Sequence, residues 1–419
     1  MKPRSLSAGT LVLTVLLFAA CGSPEGEDHG AETDSGSADF TSRLIPISKD
    51  KEPQWEQTAT LEKRMEHYEV PGVSIAVIDG FEIVWAEGFG SLRAGGETAV
   101  TETTLFHAGS VAKPVSTAAV LGLVEDGVLD LDSDVNDALT SWQVPENNFT
   151  RQQRVTLRML LSHSAGIEDG ITNRTSGDRV PNYLKPAGVR PTTTIADILD
   201  AKPGLDTDGP ARVTTVPGSR FGYANADFAI VELLVRDATG TPFETVMQET
   251  VLDPLGMSSS TYHQPLPGSL LANAAIEHGF NGKPLEGDRL HIPLLAAGGL
   301  WTTPSDLALF TIEILDAYRG VSVRLLSNEM AQEMLAPQIP IAKSFLADAM
   351  ALGFERSGEG SDFSIVHTGG TWGSTAVLLA YPERGQGAII MTNSATGSFI
   401  RFEILLAIAL EYGWPLVQE

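Results

Sequence analysis

Apolar and polar positions along this chain fall into two kinds of block. "VPGVSIAVIDGFEIVWAEGFG" (Val70 to Gly90) carries two β-branched runs on either side of Asp79-Gly80 and predicts a β-hairpin. "STAVLLAYP" (Ser374 to Pro382) and "GQGAIIMTN" (Gly385 to Asn393) flank the turn residues of "PERGQG" and predict two further strands. The remaining blocks have helical spacing. "PQWEQTATLEKRMEHYEV" (Pro53 to Val70) is expected to open the domain as a helix, and a second helix is expected from Ser110 to a C-cap at Gly127. "TLRMLLSHSAG", "TTIADILDA", "ADFAIVELLVRDATG", "PFETVMQETVLDPLG" and "PSDLALFTIEILDAY" each start near Ser, Thr, Asp or Pro, as helices do, and "FIRFEILLAIALEYG" closes the chain. The stretch from Ile167 to Tyr223 is rich in Pro, Gly and Thr and predicts long loops. Strands at both ends with helices between them predict one antiparallel sheet built from both ends of the chain, with a helical region inserted. No repeat of solenoid period is present.

Composition narrows the function classes. The chain has 419 residues, 42% apolar and 19% charged, which suits a globular protein with a sizeable core. Its formal net charge of -25 argues against nucleic acid as a partner. The first residues read as a targeting segment: Lys2 and Arg4 precede the apolar run "LVLTVLLFAA" (Leu11 to Ala20), which is too short to span a bilayer comfortably. Cys21 follows it and is the only cysteine, so no internal disulfide exists. "FAAC" resembles a bacterial lipobox, in which the cysteine is lipidated and becomes the mature N-terminus. The next stretch, "GSPEGEDHGAETDSGSAD", is small, polar and acidic and reads as a flexible tether. The expected organisation is a signal peptide over 1–20, a lipidated Cys21 and tether over 21–40, and a domain over 41–419. The expected location is the extracytoplasmic cell envelope, with a membrane as partner through the lipid anchor.

"HAGSVAKPVS" (His107 to Ser116) holds the first candidate chemistry. Residues i and i+3 share a helix face, so the Lys113 amine can reach the Ser110 hydroxyl. Apolar neighbours would desolvate Lys113 and lower its pKa, as a lysine base requires. The spacing alone is weak, because Ser48 and Lys51 in "SKDK" repeat it among charges and beside the tether. Two further segments add to it. "FGYANADF" places Tyr223-Ala224-Asn225 directly before a helix, and "VHTGGTWGST" places His367-Thr368-Gly369-Gly370 directly before a strand. With these three motifs in this order, the chain resembles the serine β-lactamase and penicillin-binding-protein superfamily. The branch it looks most similar to holds the class C β-lactamases, the D-alanyl-D-alanine carboxypeptidases and related esterases. "LLSHSAGI", "PGSRFGYAN", "PLGM" and "GGLWTTPSDLALF" match as framing segments, and the resemblance covers nearly everything after about Gln54.

The resemblance implies an α/β (α+β) fold: an antiparallel sheet flanked by helices, from about 54–112 and 360–419, and a mostly helical insert from about 113–359. It implies a serine hydrolase in which Ser110 is the acylated nucleophile and Lys113 or Tyr223 the base. Asn225 would bond a substrate amide or Lys113, or cap the helix that follows. His367, Thr368, Gly369 and Gly370 would line the substrate site, with the Ser110 and Gly370 N–H groups as the oxyanion hole. Histidine at 367, where β-lactamases usually carry lysine, would read a substrate carboxylate only when protonated. Trp372 is expected either in the acyl pocket or packed on the sheet. His163 and His107 are expected to be structural. No zinc cluster and no nucleotide loop is present, so no cofactor or metal is expected. The expected substrate is a small ester, a D-amino-acid peptide of the cell wall or a β-lactam. The alternative is a penicillin-binding or cell-wall-sensing protein that acylates without turnover.

Overall fold

The computed structural model of the chain describes residues 39–47, 53–54, 56–171, 180–186, 193–344 and 346–417. Cys21, the tether before residue 39 and the Ser48/Lys51 pair lie outside the described residues.

The first hairpin pairs β1 (Gly72–Asp79) with β2 (Glu82–Gly90), with Asp79 opposite Glu82. Gly80 and Phe81 are therefore the central turn residues, both at positive φ, one position later than the Asp79-Gly80 signal suggests. Phe81 is held there by its N–H on the Gly385 carbonyl, 3.0 Å away. The helix expected over Pro53–Val70 is confined to α1 (Leu61–His67), with Thr60 accepting from Lys63 N as its N-cap. Pro53 instead forms an isolated bridge with Ile47.

α2 (Ala112–Glu125) is buried on almost all sides, as a helix at the centre of a domain must be. α3 (Asn225–Thr239) ends at Gly240, and α4 (Pro304–Tyr318) starts from the Thr303 N-cap. The chain then returns to strands: β3 (Ile339–Pro340), β4 (Ala349–Met350), β5 (Glu355–Ser357), β6 (Ser364–Gly370), β7 (Thr375–Tyr381) and β8 (Gln386–Thr392). α5 (Ile400–Glu411) follows.

All of these strands form one antiparallel sheet in the order β2-β1-β8-β7-β6-β5-β4-β3. The N-terminal hairpin joins the C-terminal strands through β1 and β8, where Ile75 pairs with Ile390. The sheet begins earlier in its second segment than the expected boundary near 360, because β3 to β5 add to its edge. α4, assigned from sequence to the insert, packs on β1, β2 and β8. The sheet buries both faces. Ala76 and Ile78 of β1 face the core shared with α2 and α4, while Val73, Ile75 and Val77 face Ile400, Ile404 and Ile408 of α5.

Candidate active site

Ser110 sits in a tight helical turn, Gly109–Val111, that leads directly into α2. The turn is pressed against β6. Gly109 has φ +54, and a Cβ there would stand 2.7 Å from Gly370 N. A Cβ on Gly369 would stand 2.0 Å from the Ala108 carbonyl oxygen. Neither position has room for a side chain, so nucleophile turn and strand meet backbone to backbone.

Lys113, one turn on, is wholly buried. Its Nζ lies 3.1 Å from Ser110 Oγ, 3.0 Å from Asn225 Oδ1 and 2.7 Å from the Ala297 carbonyl oxygen. No carboxylate pairs with it among the described residues. Burial lowers its pKa to about 7, against smaller upward pulls from Asp169 and Asp227. Near neutral pH the amine is therefore substantially uncharged. Its two N–H groups then serve Asn225 and Ala297, and its lone pair is left for the Ser110 hydroxyl.

Tyr223 donates its hydroxyl to Ser110 Oγ at 2.8 Å from the other side. Burial pushes its phenol pKa up, opposed by the bond to Ser110. Phenolate is thus the costlier of the two basic forms at this site, and neutral amine the cheaper. Behind Tyr223 stands His163, its ring 4.4 Å from the tyrosine ring and its Nδ1 2.7 Å from Asp227 Oδ2. It touches the tyrosine and not the nucleophile. Asn225 does not cap its helix with its side chain. Its Oδ1 takes Lys113 and its Nδ2 donates to Asp169 at 3.2 Å, and Asp169 also accepts from Ala226 N.

Of the third motif, Gly370 faces the nucleophile turn and Thr368 is half-buried in β6. His367 differs from the sequence expectation. It is 2% exposed, its Nδ1 lies 2.9 Å from the Thr368 carbonyl oxygen, and burial lowers its pKa to about 3, with Lys113 adding to the effect. In the free site the imidazole is therefore neutral near pH 7 and lacks the charge that a lysine would carry there. His107 is buried as well, stacked on Trp301 and 3.4 Å from Glu277.

The cleft beside Ser110 has a volume of about 160 Å³. Ile171, Leu184, Ile292, Leu294 and Trp372 line it, and no charged side chain does so among the described residues. Trp372 also packs against the core. Three participants carried no sequence signal: the Ala297 carbonyl, Asp169, and Glu232, which accepts from Ala296 N at 3.2 Å and so holds the turn that presents Ala297.

A family model described as Beta-lactamase matches residues 58–412. The chain belongs to the beta-lactamase family. That family is one of beta-lactamase-related serine hydrolases with penicillin-binding-protein neighbours, and the observed fold is its mixed α/β fold with a large antiparallel sheet. Protein flp of Staphylococcus aureus (strain N315) is 21% identical over 339 residues, 80% of this chain and 61% of that protein. Penicillin-binding protein 4 of Amycolatopsis lactamdurans is 31% identical over 198 residues, 47% of this chain and 46% of that protein. The chain thus spans less than two thirds of the length of either relative. The octameric penicillin-binding protein homologue from Pyrococcus abyssi superposes with a TM-score of 0.67 at 23% identity, covering 86% of this chain and 78% of that one, and shares the fold.

Proposed function

We propose that this protein is a cell-envelope serine hydrolase that forms an acyl-enzyme at Ser110 and acts best on small, uncharged esters. The observation that carries the reading is the hydrogen bonding of Lys113, which leaves an uncharged amine's lone pair for the Ser110 proton. Ser110 Oγ attacks the substrate carbonyl as its proton passes to Lys113 Nζ. The oxyanion forms against the Ser110 and Gly370 N–H groups. Lys113 returns the proton, by way of the Tyr223 hydroxyl, to the leaving oxygen, and the alcohol departs. Water then attacks the acyl carbonyl, losing its proton by the same route, and the acid is released as Ser110 recovers its hydrogen.

The preference for neutral substrates rests on the cleft. Its described lining is mostly apolar and carries no charged side chain, His367 supplies no cation, and a net charge of -25 repels anions. Placement at the envelope rests on "LVLTVLLFAA" and the lone Cys21 after it. The Cys21→Ser variant should leave the membrane fraction and lose an acyl mass.

The test is a panel on the full chain: p-nitrophenyl butyrate, a D-Ala-D-Ala peptide and a chromogenic cephalosporin. The ester should exceed both others in kcat/KM by about tenfold or more, the scale of leaving one charge unpaired. Fluorophosphonate labelling should vanish in Ser110→Ala and persist in Ser48→Ala. A cephalosporin turned over fastest would reverse the substrate assignment, and one product per site followed by arrest would mark a sensor that acylates without turnover.

A further inference from the structure

Arg401, in the first turn of α5, is 7% exposed and pairs with no carboxylate among the described residues. Burial lowers its pKa to about 10, which still leaves it charged at neutral pH. The nearest acid along its helix, Glu403, is already taken by Arg64, Tyr68 and Ile47 N. A buried, unneutralised guanidinium is costly to keep. Its partners are backbone carbonyls: Nη1 donates to Gly369 O at 2.7 Å and also to Ala376 O.

Those two residues are directly opposite each other in β6 and β7. Thr371 N bonds Ser374 O at 2.9 Å, so the hydrogen-bonded pairs of this ladder fall at 371/374 and, by alternation, at 369/376. Gly370 lies between them in a non-bonded pair with Thr375, and its N–H points out of the ladder. It points to the Ser110 turn, since Gly370 N is the atom that a Cβ on Gly109 would strike. Gly369 C=O and Gly370 N–H are the two ends of one peptide unit. Arg401 therefore holds the carbonyl end of the peptide whose amide end faces the nucleophile. A cation on a carbonyl oxygen draws charge through the conjugated C–N bond and makes the N–H a stronger donor, and a fixed oxygen fixes the N–H direction.

We propose that Arg401 is a positioning residue for the oxyanion site, orienting and polarising the Gly369–Gly370 peptide from the side of the sheet opposite Ser110. The inference rests on the acyl-enzyme reading above. It gives the α5 helix a part in acyl transfer that neither the Ser-Lys-Tyr arrangement nor the cleft requires.

The test compares the full chain with Arg401→Met, which keeps the aliphatic bulk, and Arg401→Lys, which keeps the charge. Hydrolysis of p-nitrophenyl butyrate gives kcat and KM across pH. Infrared spectra of the 1-¹³C-butyryl enzyme, trapped at low pH, give the acyl carbonyl stretch, which falls as the oxyanion donors bind more strongly. Arg401→Met should lower kcat about 10- to 100-fold, somewhat less than deletion of an oxyanion donor, with KM within about threefold and the acid limb of the pH profile in place. Its acyl carbonyl band should move to higher frequency, and Arg401→Lys should recover part of both losses. A folded Arg401→Met enzyme with the parental band, or with kcat within about threefold of the parent, overturns the proposal. So does failure of both variants to fold, which would assign the guanidinium to the sheet alone. A parent protein that shows no butyryl mass on Ser110 removes the hydrolase reading itself, and this inference with it.

Discussion

Lys113 Nζ stands 3.1 Å from Ser110 Oγ while both of its other partners, Asn225 Oδ1 and the Ala297 carbonyl oxygen, can only accept from it. An ammonium would satisfy all three with its hydrogens. A neutral amine satisfies the two acceptors and receives from the serine. The same geometry therefore serves both protonation states, and proton transfer needs no rearrangement of the site.

The pH dependence follows from that pair. Only the uncharged amine has a lone pair, so kcat/KM for a neutral ester should rise with pH through about 7 and then level. The apparent value belongs to the coupled Ser110, Lys113 and Tyr223 group. Lys113→Met should lower kcat/KM by about 10²- to 10⁴-fold. Stability should rise in the range above that step, from about pH 7 to 10.5, because there the unfolded chain binds the Lys113 proton and the folded one does not. A rate flat from pH 5 to 9 would remove Lys113 as the base.

His367 should contribute nothing to that profile near 6.5, where an ordinary imidazole titrates, since burial holds it near 3. His367→Lys would put a second cation beside Lys113. The expected result is an acid limb shifted to lower pH and a stability loss of about 2 kcal/mol or more, with no gain toward carboxylate-bearing substrates. A selective gain for a D-Ala-D-Ala peptide would show that the side chain reaches the substrate after all.

Glu232 is buried in α3 with its pKa raised to about 8 by burial, against the hydrogen bond from Ala296 N. The folded state keeps the proton between pH 4.5 and 8 while the unfolded state loses it, so this group's share of stability declines as pH rises through that window. Glu232→Gln keeps an acceptor for Ala296 N and cannot ionise. Plotted against pH, the melting temperature of the variant minus that of the parent should climb from pH 4.5 to 8 and then stay level. A difference that does not change with pH would mean that Glu232 is ionised in the folded protein.

Gly369→Ala should damage the site more than its single methyl suggests. The added Cβ meets the Ala108 carbonyl oxygen at 2.0 Å, which is backbone and cannot rotate away. Separation of β6 from the Ser110 turn should lower acylation by about 10²-fold or more, the scale of losing one oxyanion donor. A variant that acylates at the parental rate would show that the close contact is not needed for the chemistry.

The site was legible in the sequence to the extent that its geometry is local. Ser110 and Lys113 share a helix face because of the pitch of the helix. The Thr156, Thr194 and Thr303 N-caps and the hairpins at both chain ends follow from patterns a few residues long. Motif order then pointed to the fold. The properties that govern reactivity were not local. Lys113 is left uncharged near neutral pH by elements that bury it, and it is oriented by acceptors 112 and 184 residues away in the chain. His367 is neutral because β6 turns it inward, which its motif does not record. Arg401 reads as an ordinary surface arginine of an apolar helix until β6 and β7 place two carbonyls under it. Helix pitch and hairpin pairing are short-range, so sequence determines them directly. Desolvation and long-range hydrogen bonding depend on which segments converge, and only the folded chain decides that.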